Sequence, residues 1–159
     1  FYLAKAMRRL YFRHLKPILA KVNSSGVTEV PSEYYPHRYE SNLRRLVSIA
    51  KQRNIEVILM TNTGLLSEQM SDHSRSIVEL PFYTSQIQTV VALHHRYNEV
   101  VRNVATEERL LWVDMARLFN QRADKESLFY DAVHLYCEGH RVMADYLQSF
   151  LDQHLIDNR

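Results

Sequence analysis

The sequence predicts an α/β protein built on a parallel sheet with helices on both faces. Two short β-branched and apolar runs, "IEVILMT" (Ile55–Thr61) and "RLLWVDM" (Arg109–Met115), predict buried strands. Residues 39–53 and 86–106 repeat apolar side chains at helical spacing. Strands that alternate with crossover helices are typical of parallel sheets. Such a sheet usually has about four or five strands, so finding two predicts that further strands precede this chain.

The other elements follow in chain order. Residues 2–22 predict a basic helix that Pro17 should kink, and residues 23–37 hold Gly, Ser and Pro and predict a loop. Residues 64–85 show no clear period and predict a long loop. After the second strand, "ARLFNQ" predicts a short helix and "DAVH" a loop. The last helix has an apolar stripe formed by Val142, Met143, Tyr146, Leu147, Phe150 and Leu151.

Length and composition predict one domain over residues 1–159. Hydrophobic residues make up 46% and charged residues 24% of the chain, and the net charge is +2. This balance is ordinary for a globular domain and indicates no nucleic-acid partner. No apolar run approaches the roughly 18–20 residues that span a bilayer, and the N-terminus lacks the apolar core of a signal peptide. Cys137 is the only cysteine, which leaves the compartment undetermined.

The stretch "DAVHLYCEGH" (Asp131–His140) sets an aspartate three residues before a histidine. A histidine can accept a proton near neutral pH, and it acts as a general base when a carboxylate holds Nδ1–H and leaves Nε2 free. Asp131 can supply that carboxylate to His134 across a tight turn. The alternative is an aspartate that caps a turn beside a histidine bonded to backbone, and spacing alone favours this alternative.

The residues around Asp131 and His134 favour the general-base interpretation over the turn cap. Asp131-Ala-Val-His134-Leu, followed by Glu138-Gly139-His140 and an apolar helix, resembles the C-terminal block of the SGNH (GDSL-type) hydrolase family. The stretches "YNEVVRNVATEERLLWVDM" and "NLRRLVSIAKQRNIEVILMTN" are similar to the helix–strand units that precede that block. The resemblance covers about residues 39–152. It implies an ester hydrolase on a flavodoxin-like three-layer parallel sheet, in which Asp131 and His134 complete a Ser–His–Asp triad and no cofactor takes part.

The family's serine stands in a Gly-Asp-Ser block, and these 159 residues contain none. We therefore expect the nucleophile and the oxyanion-hole residues to lie before Phe1, and we expect the 159 residues alone to be inactive as an ester hydrolase. Asn62 in "ILMTNTG" is a weaker candidate for an oxyanion or substrate-binding role, because its order and placement differ from the family asparagine. Ser24 and Ser25 are loop serines, and a bystander role is favoured for both.

Several other residues carry a structural and a functional interpretation. His140 is expected to pack in the first turn of the last helix, and Cys137 to be a bystander rather than a nucleophile. Tyr136 and Cys137 stand where the family commonly has an N-cap serine or threonine and a proline. His94 and His95 point about 100° apart on a helix, so a shared metal ion is not expected. The loop at residues 34–36 would line a substrate cleft or cover a sheet edge.

Two main functions follow from these residues. The first is hydrolysis of an O-acyl ester of a carbohydrate or lipid, with Asp131 orienting His134. The second is a catalytically inactive domain of the same fold that binds a glycan or a protein partner. A weaker third possibility is a membrane-surface module built on residues 1–22, although a half-buried helix with a solvated basic face is the favoured interpretation. The sequence does not determine the oligomeric state.

Overall fold

The computed structural model describes residues 33–67, 70–78, 80–81, 84 and 86–156. The predicted helix at 2–22, the loop serines and most of the 23–37 loop therefore lie outside the described residues. The chain divides into two compact units, Phe1–Tyr34 with Leu80–Val90, and Tyr35–Glu79 with Val91–Arg159. In the first unit, the Thr84 hydroxyl accepts a hydrogen bond from the Gln86 amide at 3.0 Å. The described helices and strands lie in the second unit, apart from the first turn of the long helix that begins at Ile87.

The described residues form an α/β fold whose helices and strands alternate, as the sequence predicts. The elements in chain order are α1 (His37–Gln52), β1 (Ile58–Met60), α2 (Asp72–Ile77), α3 (Ile87–Glu107), β2 (Leu111–Val113), α4 (Met115–Asn120), a 3-10 turn (Lys125–Leu128) and α5 (Cys137–Leu151), which a π turn (Asp152–Ile156) extends. The predicted loop at 64–85 is wrong in part, because Asp72–Ile77 is helical. Ser71 begins that helix by accepting the Ser74 amide at 3.1 Å.

The two strands pair in parallel, which confirms the predicted direction. Ile58 is opposite Leu111 and Met60 is opposite Val113. Both strands are shorter than the apolar runs that predicted them. The Ile55 amide bonds to the Ala50 carbonyl at 3.0 Å, so the start of the first run completes the end of α1. Of the six paired residues only Val113 is fully buried, so the prediction of buried strands holds only for that residue.

Asp114 ends β2 and ties the two strand ends together. Its carboxylate accepts hydrogen bonds from the Thr61 hydroxyl at 2.8 Å, from the Arg102 guanidinium at 2.9 and 3.0 Å, and from the Arg117 amide at 3.2 Å. Burial alone would raise the pKa of this carboxyl, but the Arg102, Thr61 and Arg117 bonds lower it. Asp114 thus begins α4 and fixes the carboxyl ends of β1 and β2 beside α3.

A compact apolar core lies behind these strand ends. Phe119 is fully buried and meets Phe129 edge-on, with ring centroids 5.7 Å apart. Such edge-to-face aromatic pairs are favourable beyond the area that they bury. α5 contributes Val142, Met143, Leu147 and Phe150, which were all predicted in its apolar stripe. The buried core residues are Leu65, Val113, Met115, Phe119, Leu128 and Phe129.

Ion pairs join the exposed sides of α1 and the end of α3. Arg44 bonds to Glu40 one turn earlier at 2.7 Å, and to Glu107 of α3. Lys51 bonds to Glu108 at 2.8 Å. Exposed pairs of this kind contribute little individually to stability, and here they join α1 to the end of α3. No helix within the described ranges is both long and apolar enough to cross a membrane.

Candidate functional site

The Asp131 and His134 side chains lie on a tight turn, called the dyad turn below (residues 130–134). Phe129 and Leu135 form an antiparallel bridge at its base, and the Tyr130 amide donates to the His134 carbonyl at 2.8 Å. Asp131 stabilises the turn itself, because its Oδ1 accepts the backbone amides of Val133 at 3.0 Å and His134 at 2.9 Å. A short acidic side chain that caps its own turn in this way is typical of aspartate.

The same carboxylate holds the imidazole of His134. Nδ1 lies 2.9 Å from both Oδ1 and Oδ2 of Asp131. A carboxylate only accepts hydrogen bonds, so Nδ1 carries the proton and the neutral ring is the Nδ1–H tautomer. No described residue hydrogen-bonds to Nε2, and the His134 side chain is 66% exposed. The predicted contact between Asp131 and His134 is therefore present, with Nε2 available to a substrate.

Asp131 remains ionised in this environment. Burial alone would raise the pKa of its carboxyl, but the amides of Val133 and His134 and the His134 ring all donate to it and outweigh burial. The resulting pKa lies below the ordinary aspartate value. The Asp131 side chain is three-quarters buried, whereas the His134 side chain is largely exposed. A fixed negative charge beside Nδ1 stabilises the imidazolium that forms when Nε2 accepts a proton.

The two sides of the bridge carry different side chains. Phe129 is buried and Leu135 packs against the core, whereas Tyr130, His134 and Tyr136 are exposed. Because side chains alternate across extended backbone, the three exposed residues share the outer face. The Tyr130 and Tyr136 rings meet edge-on, with centroids 5.8 Å apart. The dyad thus lies beside an exposed aromatic pair.

Gly139 lets α5 begin directly against this bridge. A Cβ at this position would lie 2.6 Å from the Leu128 carbonyl oxygen and 2.7 Å from Leu135 Cδ2, closer than real Cβ atoms approach. Tyr136 occupies the N-cap position, and its side chain makes no capping bond. Cys137 is exposed at the first helical position. The packing role expected for His140 is wrong, because its side chain is exposed on the outer side of this first turn.

The loop after β1 lies against the dyad turn. The Leu65 amide donates to the Ala132 carbonyl at 2.8 Å, and a Cβ on Gly64 would lie 2.8 Å from the same oxygen. The structure therefore brings the stretch "TNTG" beside Asp131 and His134. Ligand sites of open α/β sheets lie at this edge, beyond the carboxyl ends of the strands.

Asn62 in this loop is held by its backbone. The Asn98 side chain accepts from the Asn62 amide at 2.8 Å and donates to the Asn62 carbonyl at 2.9 Å. The Asn62 amide is consequently not available as an oxyanion donor, although the Asn62 side chain is exposed. Its suggested oxyanion or substrate-binding role stays a prediction that only the side chain could fulfil.

His94 reaches the same loop one helical turn before Asn98. A Cβ on Gly64 would lie 3.6 Å from Nε2 of its ring. Nε2 is buried and has no hydrogen-bond partner within the described residues. Burial chiefly, and then the charge of Lys125, lowers the pKa of this imidazole. His94 therefore serves the loop as a neutral side chain.

Sequence reasoning assigned no role to Asn98 or Gly64, although Asn98 stands in the stretch "YNEVVRNVATEERLLWVDM" that carries the resemblance. The available signal was the four-residue spacing of His94 and Asn98 on one helix face. No three His, Cys, Asp or Glu side chains in the described part of the chain lie close enough together to hold a metal ion.

No model of a known protein family matches this chain. A comparison with curated proteins likewise gives no match. The function proposed below therefore rests on the geometry of the site and on the motif that it contains.

Proposed function

We propose that this chain carries the orienting and proton-accepting half of an SGNH-like ester hydrolase acting on an O-acyl ester of a carbohydrate or lipid. The observation that carries the proposal is the contact of His134 Nδ1 with both carboxylate oxygens of Asp131, on a side chain that is 66% exposed and whose Nε2 has no hydrogen bond from the described residues. This is the arrangement that a serine hydrolase needs for its base. The nucleophilic serine is supplied from outside the 159 residues, which contain no Gly-Asp-Ser block.

The steps of the proposed ester hydrolysis follow from the Nδ1–H tautomer of His134. His134 Nε2 takes the hydroxyl proton as the serine oxygen attacks the acyl carbon, and then passes it to the departing alcohol oxygen as the ester bond breaks. Nε2 next takes a proton from water, whose oxygen attacks the acyl-enzyme. Nε2 then returns this proton to the serine oxygen as the bond between that oxygen and the acyl carbon breaks, which releases the carboxylic acid and the free serine. Asp131 stays ionised throughout and stabilises the imidazolium in both halves of the reaction.

The finer architecture belongs to the same proposal. We infer a flavodoxin-like three-layer sheet, in which β1 and β2 are two of the parallel strands and helices cover both faces. Support comes from the parallel β1–β2 pair joined through α3, and from the position of the dyad beside the loop that follows β1. In such sheets, neighbouring strands place their following loops at one edge, where substrates bind.

A catalytically inactive domain that binds a glycan or a protein partner is the second candidate. The observation that favours it is the outward-facing pair of Tyr130, 64% exposed, and Tyr136, 50% exposed. Exposed aromatic rings with polar tips are typical of binding surfaces. Under this alternative, substitution of these rings weakens binding, while loss of His134 has no effect on any ester.

Hydrolysis of p-nitrophenyl acetate tests the proposal, with protein produced from the complete reading frame that contains these residues. We expect His134→Ala to lower kcat by about 10³–10⁴-fold or more, and Asp131→Asn by a comparable factor, because each disables the base. His95→Ala is the matched control, since it removes an exposed imidazole from α3 and should leave kcat unchanged. An active enzyme that is indifferent to His134→Ala refutes the proposal, and a protein without esterase activity supports the inactive binding domain.

A further inference from the structure

We infer that Asn98 is a positioning residue for the dyad, acting through the backbone of the loop that follows β1. The inference rests on the proposed function, because positioning matters only if Asp131 and His134 do chemistry. Asn98 touches neither of these side chains. It acts through a short series of backbone contacts that begins at Asn62 and ends at Ala132, inside the dyad turn.

The first contact is the pairing of Asn98 with Asn62. The side chain of Asn98 bonds to both the amide and the carbonyl of one residue, at 2.8 and 2.9 Å. Asn98 is 4% exposed, so loss of these bonds would leave its own buried amide group unpaired, which is costly. Two bonds to one residue fix both its position and its orientation. His94, four residues earlier on α3, lies beside the same loop, because a Cβ on Gly64 would be 3.6 Å from its Nε2.

The second contact carries this constraint to the dyad turn. Three residues after Asn62, the Leu65 amide donates to the Ala132 carbonyl at 2.8 Å. Gly64 lies so close to the same carbonyl that a Cβ would be 2.8 Å from it. Ala132 stands between Asp131 and Val133, whose amide helps to hold the Asp131 carboxylate. A displacement of the loop therefore moves the peptide next to the orienting carboxylate.

The tautomer of His134 reports directly on this positioning. In protein labelled with ¹⁵N-histidine, at a pH where its ¹⁵N shifts show a neutral ring, wild-type His134 should be the Nδ1–H tautomer. Asn98→Ala should reduce the Nδ1–H population, because the loop then no longer holds the Ala132 peptide that adjoins the Asp131 carboxylate. In active enzyme the same substitution should lower kcat by about 10- to 100-fold with KM unchanged, since a displacement of about 1 Å has effects of this size.

Val104→Ala is the matched control. Val104 is a fully buried residue of α3, so its truncation weakens the packing of the same helix and leaves the Asn98–Asn62 bonds in place. It should keep the wild-type tautomer and kcat. Gly64→Ala provides a second route if Asn98→Ala does not fold, because it keeps Asn98 and displaces the Ala132 carbonyl. We expect it to reproduce the loss of the Nδ1–H signal.

The outcomes separate the two proposals. Where Asn98→Ala folds, loss of the Nδ1–H tautomer with retention in Val104→Ala supports positioning, and retention in Asn98→Ala overturns positioning and leaves the proposed function intact. Where Asn98→Ala does not fold, loss or retention of the tautomer in Gly64→Ala decides in the same way. A wild-type ring that is not the Nδ1–H tautomer shows that the dyad does not form, and both proposals then fail.

Discussion

Gly139→Ala sets two effects of opposite sign against each other at the start of α5. Replacing glycine by alanine within a helix is worth up to about 1 kcal/mol in helix propensity. The new Cβ, however, would lie 2.6 Å from the Leu128 carbonyl oxygen and 2.7 Å from Leu135 Cδ2. The leucine methyl can rotate away, but the carbonyl belongs to the backbone that pairs with Tyr136. Overpacking of this kind costs typically about 1–3 kcal/mol.

The steric cost should therefore exceed the propensity gain. We expect Gly139→Ala to lower the free energy of unfolding by about 1–2 kcal/mol and the Tm by about 2–8 °C. Urea unfolding followed by circular dichroism measures the first quantity, and a thermal scan measures the second. Gln148→Ala, at an exposed position of the same helix, is the control and should be close to neutral. A Gly139→Ala protein as stable as wild type, or more stable, refutes the close approach of α5 to the bridge.

Three further predictions concern the core and the buried charges. Phe119→Ala removes a fully buried ring that packs edge-on against Phe129, and should lower the free energy of unfolding by about 3–5 kcal/mol in urea denaturation. Burial lowers the pKa of Lys125 to about 8. The unfolded chain therefore binds more protons than the folded chain between pH 8 and about 10.4, and the free energy of unfolding should rise by roughly 3 kcal/mol across that window. Lys125→Met should abolish this rise. An identical pH dependence of stability in the variant would contradict the burial of the Lys125 charge. The lowered pKa of Asp114 predicts a stabilising contribution that is fully present above the unfolded pKa of about 3.9 and is lost as the pH falls through the pKa of the folded protein. Asp114→Asn should cost about 1–3 kcal/mol at pH 7, because the partly buried bonds from Arg102 weaken. An unchanged urea midpoint would count against the described network.

The sequence predicted the helices better than the strand ends, for a physical reason. The apolar stripe of α5 is local, because its repeat follows from the geometry of one helix. Where a β ladder begins depends on a partner distant in the chain. Ile55 lies in an apolar run, yet its amide donates to the last turn of α1. Arg109 adopts a positive φ of 53°, and its amide donates back to α3. The apolar content of a stretch does not show whether its amides form such capping bonds.

The site divides in the same way. The contact between Asp131 and His134 spans three residues across one turn, so the spacing made it possible, and the resemblance of the surrounding residues to a hydrolase block led to its prediction. The pairing of Asn98 with Asn62 joins residues 36 apart, and the approach of Gly64 to Ala132 joins two loops that sequence does not place together. Asn98 also resembles any polar residue on a helix until its burial is known. Long-range contacts of this kind require the fold.

Labelling with a fluorophosphonate probe tests the central claim most directly, because the probe reacts with a serine only when a neighbouring base activates it. The protein is produced from the complete reading frame, and adduct formation is followed by intact mass. We predict one adduct per molecule in wild type and in His95→Ala, and a labelling rate at least about 10³-fold lower in His134→Ala. Equal labelling rates in wild type and His134→Ala, or no adduct in wild type, would contradict the role of His134 as the base.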